Sequence, residues 1–239
     1  MPSSLDPFTL LFAILGGIIP AFVWLWFWLK EDARRPEPRR LIIATFLAGA
    51  VAVGFALFFE RLAHNALGGG ILLFVSWAAI EELLKYGGAY LIAFRKFCVD
   101  GSVCLDEPID PAIYMVTAAL GFAALENTLF LINPLAGGET VAGFLTGNLR
   151  FIGATVLHVV ASASIGIAMG LSFYKSAATK KLYLIIGICT AIVLHALFNL
   201  SIIMNKGENI FIIFGVLWFV VLFLLLFFEK IKRVDGALR

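Results

Sequence analysis

Three ionisable side chains crowd the stretch Ile80-Glu81-Glu82-Leu83-Leu84-Lys85-Tyr86, inside an otherwise apolar run over 71–94. On a helix each residue advances about 100°, so Lys85 falls about 40° from Glu81 and lies between the two carboxylates. An ionisable side chain at the centre of a spanning helix costs about 2.5–3.5 kcal/mol on insertion scales, so this wedge must face partners inside the protein. Further candidates follow. Glu126 sits in Gly121-Phe122-Ala123-Ala124-Leu125-Glu126-Asn127, with Phe122 one turn back on its face. Arg150 and His158 are eight residues apart, with Ala154 between them. His195 and Asn199 are one turn apart in His195-Ala196-Leu197-Phe198-Asn199.

These residue types suit hydrolysis. A carboxylate withdrawn from water is a stronger base, able to take a proton from a water molecule near neutral pH. Two carboxylates in unequal surroundings, with Lys85 beside them, can divide acid and base roles. A histidine and an amide one turn apart can both donate to a developing oxyanion. A zinc reading uses the same residues: two histidines and a glutamate leave an open position for water, with Glu126, His158 and His195 as ligands and Glu81 as base. No HExxH places two ligands on one helix, and a glutamate-activated water without a cofactor is favoured over zinc. Each group also has a purely structural reading. Glu81 and Lys85 can be an i,i+4 ion pair, Glu126 a partner for Arg150 or Lys85, and the histidines and Asn199 interhelical glue. The Gly166/Gly170 GxxxG pair is read as close helix packing.

The elements that must position these residues are membrane helices. Of 239 residues, 62% are hydrophobic and mean hydropathy is +0.99. Apolar runs of about 20 residues recur, where barrel strands would alternate over about 10. The fold class is all-α, a polytopic bundle and a single integral membrane domain over 1–239. Its spans fall at about 8–29, 41–59, 71–94, 112–133, 149–174, 182–203 and 210–228, with a catalytic core over 71–203. Trp24, Trp26 and Trp28 suit the membrane–water interface. The net charge of +2 points to no nucleic acid, because the basic residues sit in short loops. Cys98 and Cys104 share a loop, Cys189 is intramembrane, and the three cysteines make no disulfide framework. Loops one, three and five plus the tail hold fourteen Lys and Arg, and loops two, four and six hold two. The positive-inside rule then puts the N-terminus outside and the C-terminus in the cytoplasm. On that topology Glu81, Glu126, His158 and His195 all lie roughly 10–15 Å below the outer surface, on four successive helices.

The ordered set Glu81-Glu82-x-x-Lys85, Phe122-x-x-x-Glu126-Asn127, a basic residue followed by His158, and His195-x-x-x-Asn199 resembles the PrsW family of intramembrane proteases, which is related to the CAAX-processing and bacteriocin-immunity membrane proteases. Pro36-Glu37-Pro38 and Asp110 with Tyr114 add to the likeness, which covers about 31–200. The resemblance implies an intramembrane endopeptidase that cuts a membrane-anchored protein, such as a single-span anti-sigma factor, in a prokaryotic cell membrane. It implies that Glu81 activates water, that Glu126 assists, and that His195 and Asn199 hold the oxyanion. Glu82 and His158 join the catalytic set, with Lys85, Phe122, Asn127 and Arg150 in support. Glu126 stands where CAAX-type relatives carry histidine, and His158 either orients Glu126 or binds metal. The same superfamily resembles the Aph subunit of γ-secretase, so a scaffold that binds a partner's transmembrane helix is the non-enzymatic alternative.

Overall fold

The computed structural model describes residues 6–30, 35–94, 105–204 and 209–234. Cys98, Cys104 and Lys206, part of the first and third loops, and the end of the basic tail with Arg239 lie outside them. Among the described residues there are helices and no strands. The helices are α1 (Pro7–Leu29), α2 (Arg39–Leu67), α3 (Ile71–Ile92), α4 (Asp110–Ala136), α5 (Thr140–Leu149), α6 (Thr155–Leu171), α7 (Ala177–Met204) and α8 (Ile210–Ile231). A π-helical turn, Arg150–Ala154, joins α5 to α6, so the two form one continuous rod. Six rods are long and apolar enough to cross a membrane. The seventh, α3, has 22 residues and carries Glu81, Glu82 and Lys85 in its middle.

Helix ends depart from the sequence expectation where polar residues do not stop a helix. α2 continues past Phe59 to Leu67, because nothing in Glu60-Arg61-Leu62-Ala63-His64 breaks it, and ends at Gly68 with φ 73°. Most of the expected loop over 134–148 is helix. Its true turn is Gly137-Gly138-Glu139, with Gly138 at φ 77°, a conformation that costs a glycine nothing. Of the three tryptophans near the end of α1, only Trp26 faces outward, with the Lys30 ammonium 3.5 Å above its ring. Trp28 is buried against Phe228, their ring centres 4.8 Å apart, and Trp24 packs beside Phe151 and Trp218. Packing against α8 and the π-helical turn thus claims two side chains that the sequence assigns to the interface.

α4 and α6 form the centre. α4 packs against α1, α2 and α6, while α6 also packs on α7 and α8, and α3 lies between α2 and α7. The central pair can approach because small residues line it. The position a Cβ would take on Gly166 lies 2.4 Å from Ala112 Cα, and that on Gly170 lies 2.2 Å from the Pro108 carbonyl oxygen. Large apolar side chains on the outer helices, among them Phe55, Phe211 and Leu226, point away from the bundle, as lipid-facing residues do.

The α2–α4 crossing is tighter still. A Cβ on Gly121 would stand 1.9 Å from the Phe46 carbonyl oxygen, and one on Gly49 2.0 Å from that of Ala118. Both obstacles are backbone, so neither can swing aside. Gly121→Ala is therefore expected to destabilise the fold by about 1–3 kcal/mol, as overpacking does. Gly54→Ala, with nothing within 4 Å, is the control and should be neutral or slightly stabilising. Detergent-induced unfolding of the two purified variants checks this. Equal stabilities would mean the helices do not cross this closely.

At the opposite end from the polar centre, the motif residues outside it fasten the loop before α2 to the start of α4. The Tyr114 hydroxyl donates to Glu37, and Asp110 Oδ2 accepts from the backbone N–H of Asp106 at 2.8 Å and of Glu107 at 2.7 Å. Burial pushes the Glu37 carboxyl above the ordinary range, against the lowering effect of the Tyr114 bond.

Candidate functional site

Four helices and the π-helical turn deliver polar side chains to one place. α3 supplies Glu81, Glu82 and Lys85, α4 Phe122, Glu126 and Asn127, the π-helical turn Arg150, α6 His158 and Ser162, and α7 His195 and Asn199. Lys85 is at the centre and has no exposed surface. Its ammonium lies 2.8 Å from Glu82 Oε1, 3.3 Å from Glu81 Oε2 and 2.8 Å from His158 Nδ1, and 4.3 Å above the Phe122 ring. All its protons thus meet acceptors in low dielectric, where an unpaired charge would not survive.

This centre fixes both imidazoles. An ammonium only donates, so His158 Nδ1 accepts and the proton of the neutral ring sits on Nε2. That Nε2–H donates to Glu126 Oε2 at 3.0 Å. The Arg150 Nη2 donates to the same oxygen, its Nε donates to Asn127 Oδ1 at 2.5 Å, and Asn127 Nδ2 donates to Thr155 Oγ1 at 2.9 Å. His195 is set from the other side. Its Nδ1–H donates to Glu82 Oε1 at 2.8 Å, which leaves Nε2 3.8 Å from Glu81 Oε2. The two rings meet edge to face, centres 5.1 Å apart.

The two neighbouring glutamates are therefore unlike. Glu82 is enclosed, accepting from Lys85, His195 and the Ser162 hydroxyl at 2.6 Å. It behaves as the orienting carboxylate behind a histidine. Among the described residues Glu81 has Lys85 as its one close partner, and it borders a cavity of about 610 Å³. Glu60, Glu126, Arg150, His158, His195 and Asn199 also line that cavity.

Glu81, His158 and His195 each offer one ligand atom within 4.8 Å of the others, the spacing of a cation site. This trio differs from the sequence-suggested Glu126, His158 and His195: Glu126 is held by Arg150, and Glu81 stands in its place. The donors do not fit a zinc ion as they stand. Zinc needs a free lone pair on each histidine, yet Lys85 holds His158 Nδ1 and Glu126 takes the hydrogen on Nε2. An internal ammonium already occupies the negative pocket.

Two site residues escaped the sequence reading. Ser162 is one turn beyond His158, so its i+4 position carried a usable signal. Hydropathy ends the second span at Phe59 and leaves Glu60 in a loop, whereas Glu60 continues α2 into the cavity wall, where the Trp77 Nε1–H donates to its backbone oxygen at 3.1 Å.

A family model described as PrsW family intramembrane metalloprotease matches residues 37–226. The chain is 28% identical to Protease PrsW of Geobacillus kaustophilus over 235 residues, covering 95% of this chain and 93% of that protein. It is 26% identical to Protease PrsW of Halalkalibacterium halodurans, covering 94% and 98%. Against Protease PrsW of Bacillus subtilis it is 30% identical over 126 residues, covering 51% and 55%. No solved structure matches.

Proposed function

Because the chain belongs to the PrsW family of intramembrane proteases, we propose that it hydrolyses a peptide bond of a membrane-anchored protein with water activated by Glu81. Multiple apolar helices and bacterial relatives support a multi-pass protein of a bacterial membrane. The observation that carries the mechanism is the position of the Glu81 Oε2: at the cavity wall, 3.8 Å from both His158 Nδ1 and His195 Nε2, with one hydrogen-bonding partner among the described residues.

In this reading Glu81 takes a proton from water as the oxygen attacks the scissile carbonyl. The oxyanion meets the Asn199 amide and His195, whose positive form is stabilised by Glu82 behind it. Glu81 then returns the proton to the departing amine as the C–N bond breaks. Glu126, clamped by Arg150 and Asn127, orients His158. The single domain spans 1–239, and the alternation of basic loops supports an outside N-terminus, which sets the site in the outer half of the membrane. A single-span anti-sigma factor is a substrate of suitable form.

Zinc is the second reading, favoured by the family description and by the spacing of Glu81, His158 and His195. Cleavage of single-span membrane proteins by reconstituted protein tests both. Activity is expected to survive dialysis against a chelator, with well under one zinc per chain by elemental analysis. About one zinc per chain, and activity lost with the metal and restored by it, would transfer the reaction to the metal reading. Retention of a partner helix without any cleavage would favour the scaffold.

A further inference from the structure

Four carboxylates gather at the site, Glu60, Glu81, Glu82 and Glu126, against two cations, Lys85 and Arg150. Carboxylates thus outnumber the fixed cations by two at this site. Three carboxylates have a cation at hand: Glu81 and Glu82 have Lys85, and Glu126 has Arg150. Glu60 is the exception. Among the described residues its carboxylate accepts no hydrogen bond and lies within 4 Å of no cation, although it is half-buried and lines the cavity.

Its backbone is anchored to α3. Trp77, whose indole N–H holds the Glu60 carbonyl, is one turn before Glu81 on α3. Trp77 lies about 6 Å before Glu81 along that axis, so the Glu60 backbone it holds is on the side of the cavity towards the start of α3. An extended peptide advances about 3.3 Å per residue. A side chain within about two or three residues of the scissile bond would reach it.

We propose that Glu60 is a specificity subsite for a basic substrate residue, Lys or Arg, beside the scissile bond on the side facing the start of α3. A half-buried carboxyl group with no cation beside it, in a cavity where carboxylates outnumber cations, favours a cationic side chain over an anionic one. Lys and Arg are also the side chains that a substrate helix naturally places at the membrane edge, their stems in the apolar layer and their charge in the cavity. The proposal rests on the protease reading for its meaning, but its binding preference can be measured separately.

The probe is a set of single-span peptides with Lys, Gln or Glu scanned through the outer juxtamembrane segment, in vesicles. Binding is read by energy transfer to the inactive Glu81→Gln protein, and cleavage is read in parallel with wild type. At one or two positions the Lys peptide should bind about tenfold more tightly than the Glu peptide. That ratio should fall to about one with Glu60→Gln added, and invert with Glu60→Lys. The inference is overturned if Lys binds no better than Glu at any position, or if the preference survives Glu60→Lys. Binding preference without cleavage by wild type would sink the protease reading and leave the subsite standing. Cleavage without preference would do the reverse.

Discussion

Glu81→Gln is expected to lower cleavage of a membrane-anchored substrate by about 10³-fold while the protein stays folded. The substitution keeps the shape and one acceptor oxygen and removes only the basicity. Structure should survive because Glu81 contributes one long bond to the Lys85 ammonium, 3.3 Å, and that ammonium retains Glu82 and His158 at 2.8 Å. The loss should fall on kcat, since proton transfer is needed in the transition state and not for binding the helix. Glu82→Gln makes the contrast. Glu82 is enclosed and serves Lys85, Ser162 and His195 at once, so its loss should disturb folding together with rate. Unchanged cleavage by folded Glu81→Gln protein would remove Glu81 as the base. Equal losses of stability in the two variants would mean that both glutamates are structural.

The sequence carried much of this site because the membrane makes polar residues conspicuous. Glu81, Lys85, Glu126, His158 and His195 stand out against apolar helices, and counting residues at about 1.5 Å each puts Glu81, Glu126, His158 and His195 at similar heights on their helices. Depth, however, gives no rotation about the helix axis. Glu126 was open to Arg150, Lys85 or a metal, and the choice of Arg150 depends on a π-helical turn that eight residues of spacing do not reveal. Nor could adjacency tell Glu81 from Glu82. The 100° between them puts one on the cavity and the other among Lys85, Ser162 and His195, a division set by where α6 and α7 pack. Glu60 was missed for the opposite reason. Hydropathy ends a span where polarity begins, whereas a helix ends where a residue can turn, here Gly68.

Lys85→Met is expected to cost about 3–5 kcal/mol of stability, the loss typical when one partner of a buried ion pair is removed. Met matches the length and apolar stem of lysine and can still pack over Phe122, so the effect isolates the charge. What remains is a carboxylate at Glu82 with no exposed surface and only the Ser162 hydroxyl and His195 to support it. His158 also loses the donor on Nδ1. The decisive measurement is the double variant Lys85→Met/Glu82→Gln in a cycle of detergent-unfolding experiments. With the Glu82 charge also gone, Glu81, which borders the cavity, is the one carboxylate of the pair left without its cation, so the double variant should cost less than the sum of the single ones. The coupling should fall within about 0.5–3 kcal/mol, as for residues in one network. Strict additivity would mean that Lys85 stabilises the fold through packing alone. Cleavage should be lost in both Lys85 variants even at temperatures where they remain folded, because without the ammonium the link that joins Glu81 to His158 across α3 and α6 is gone.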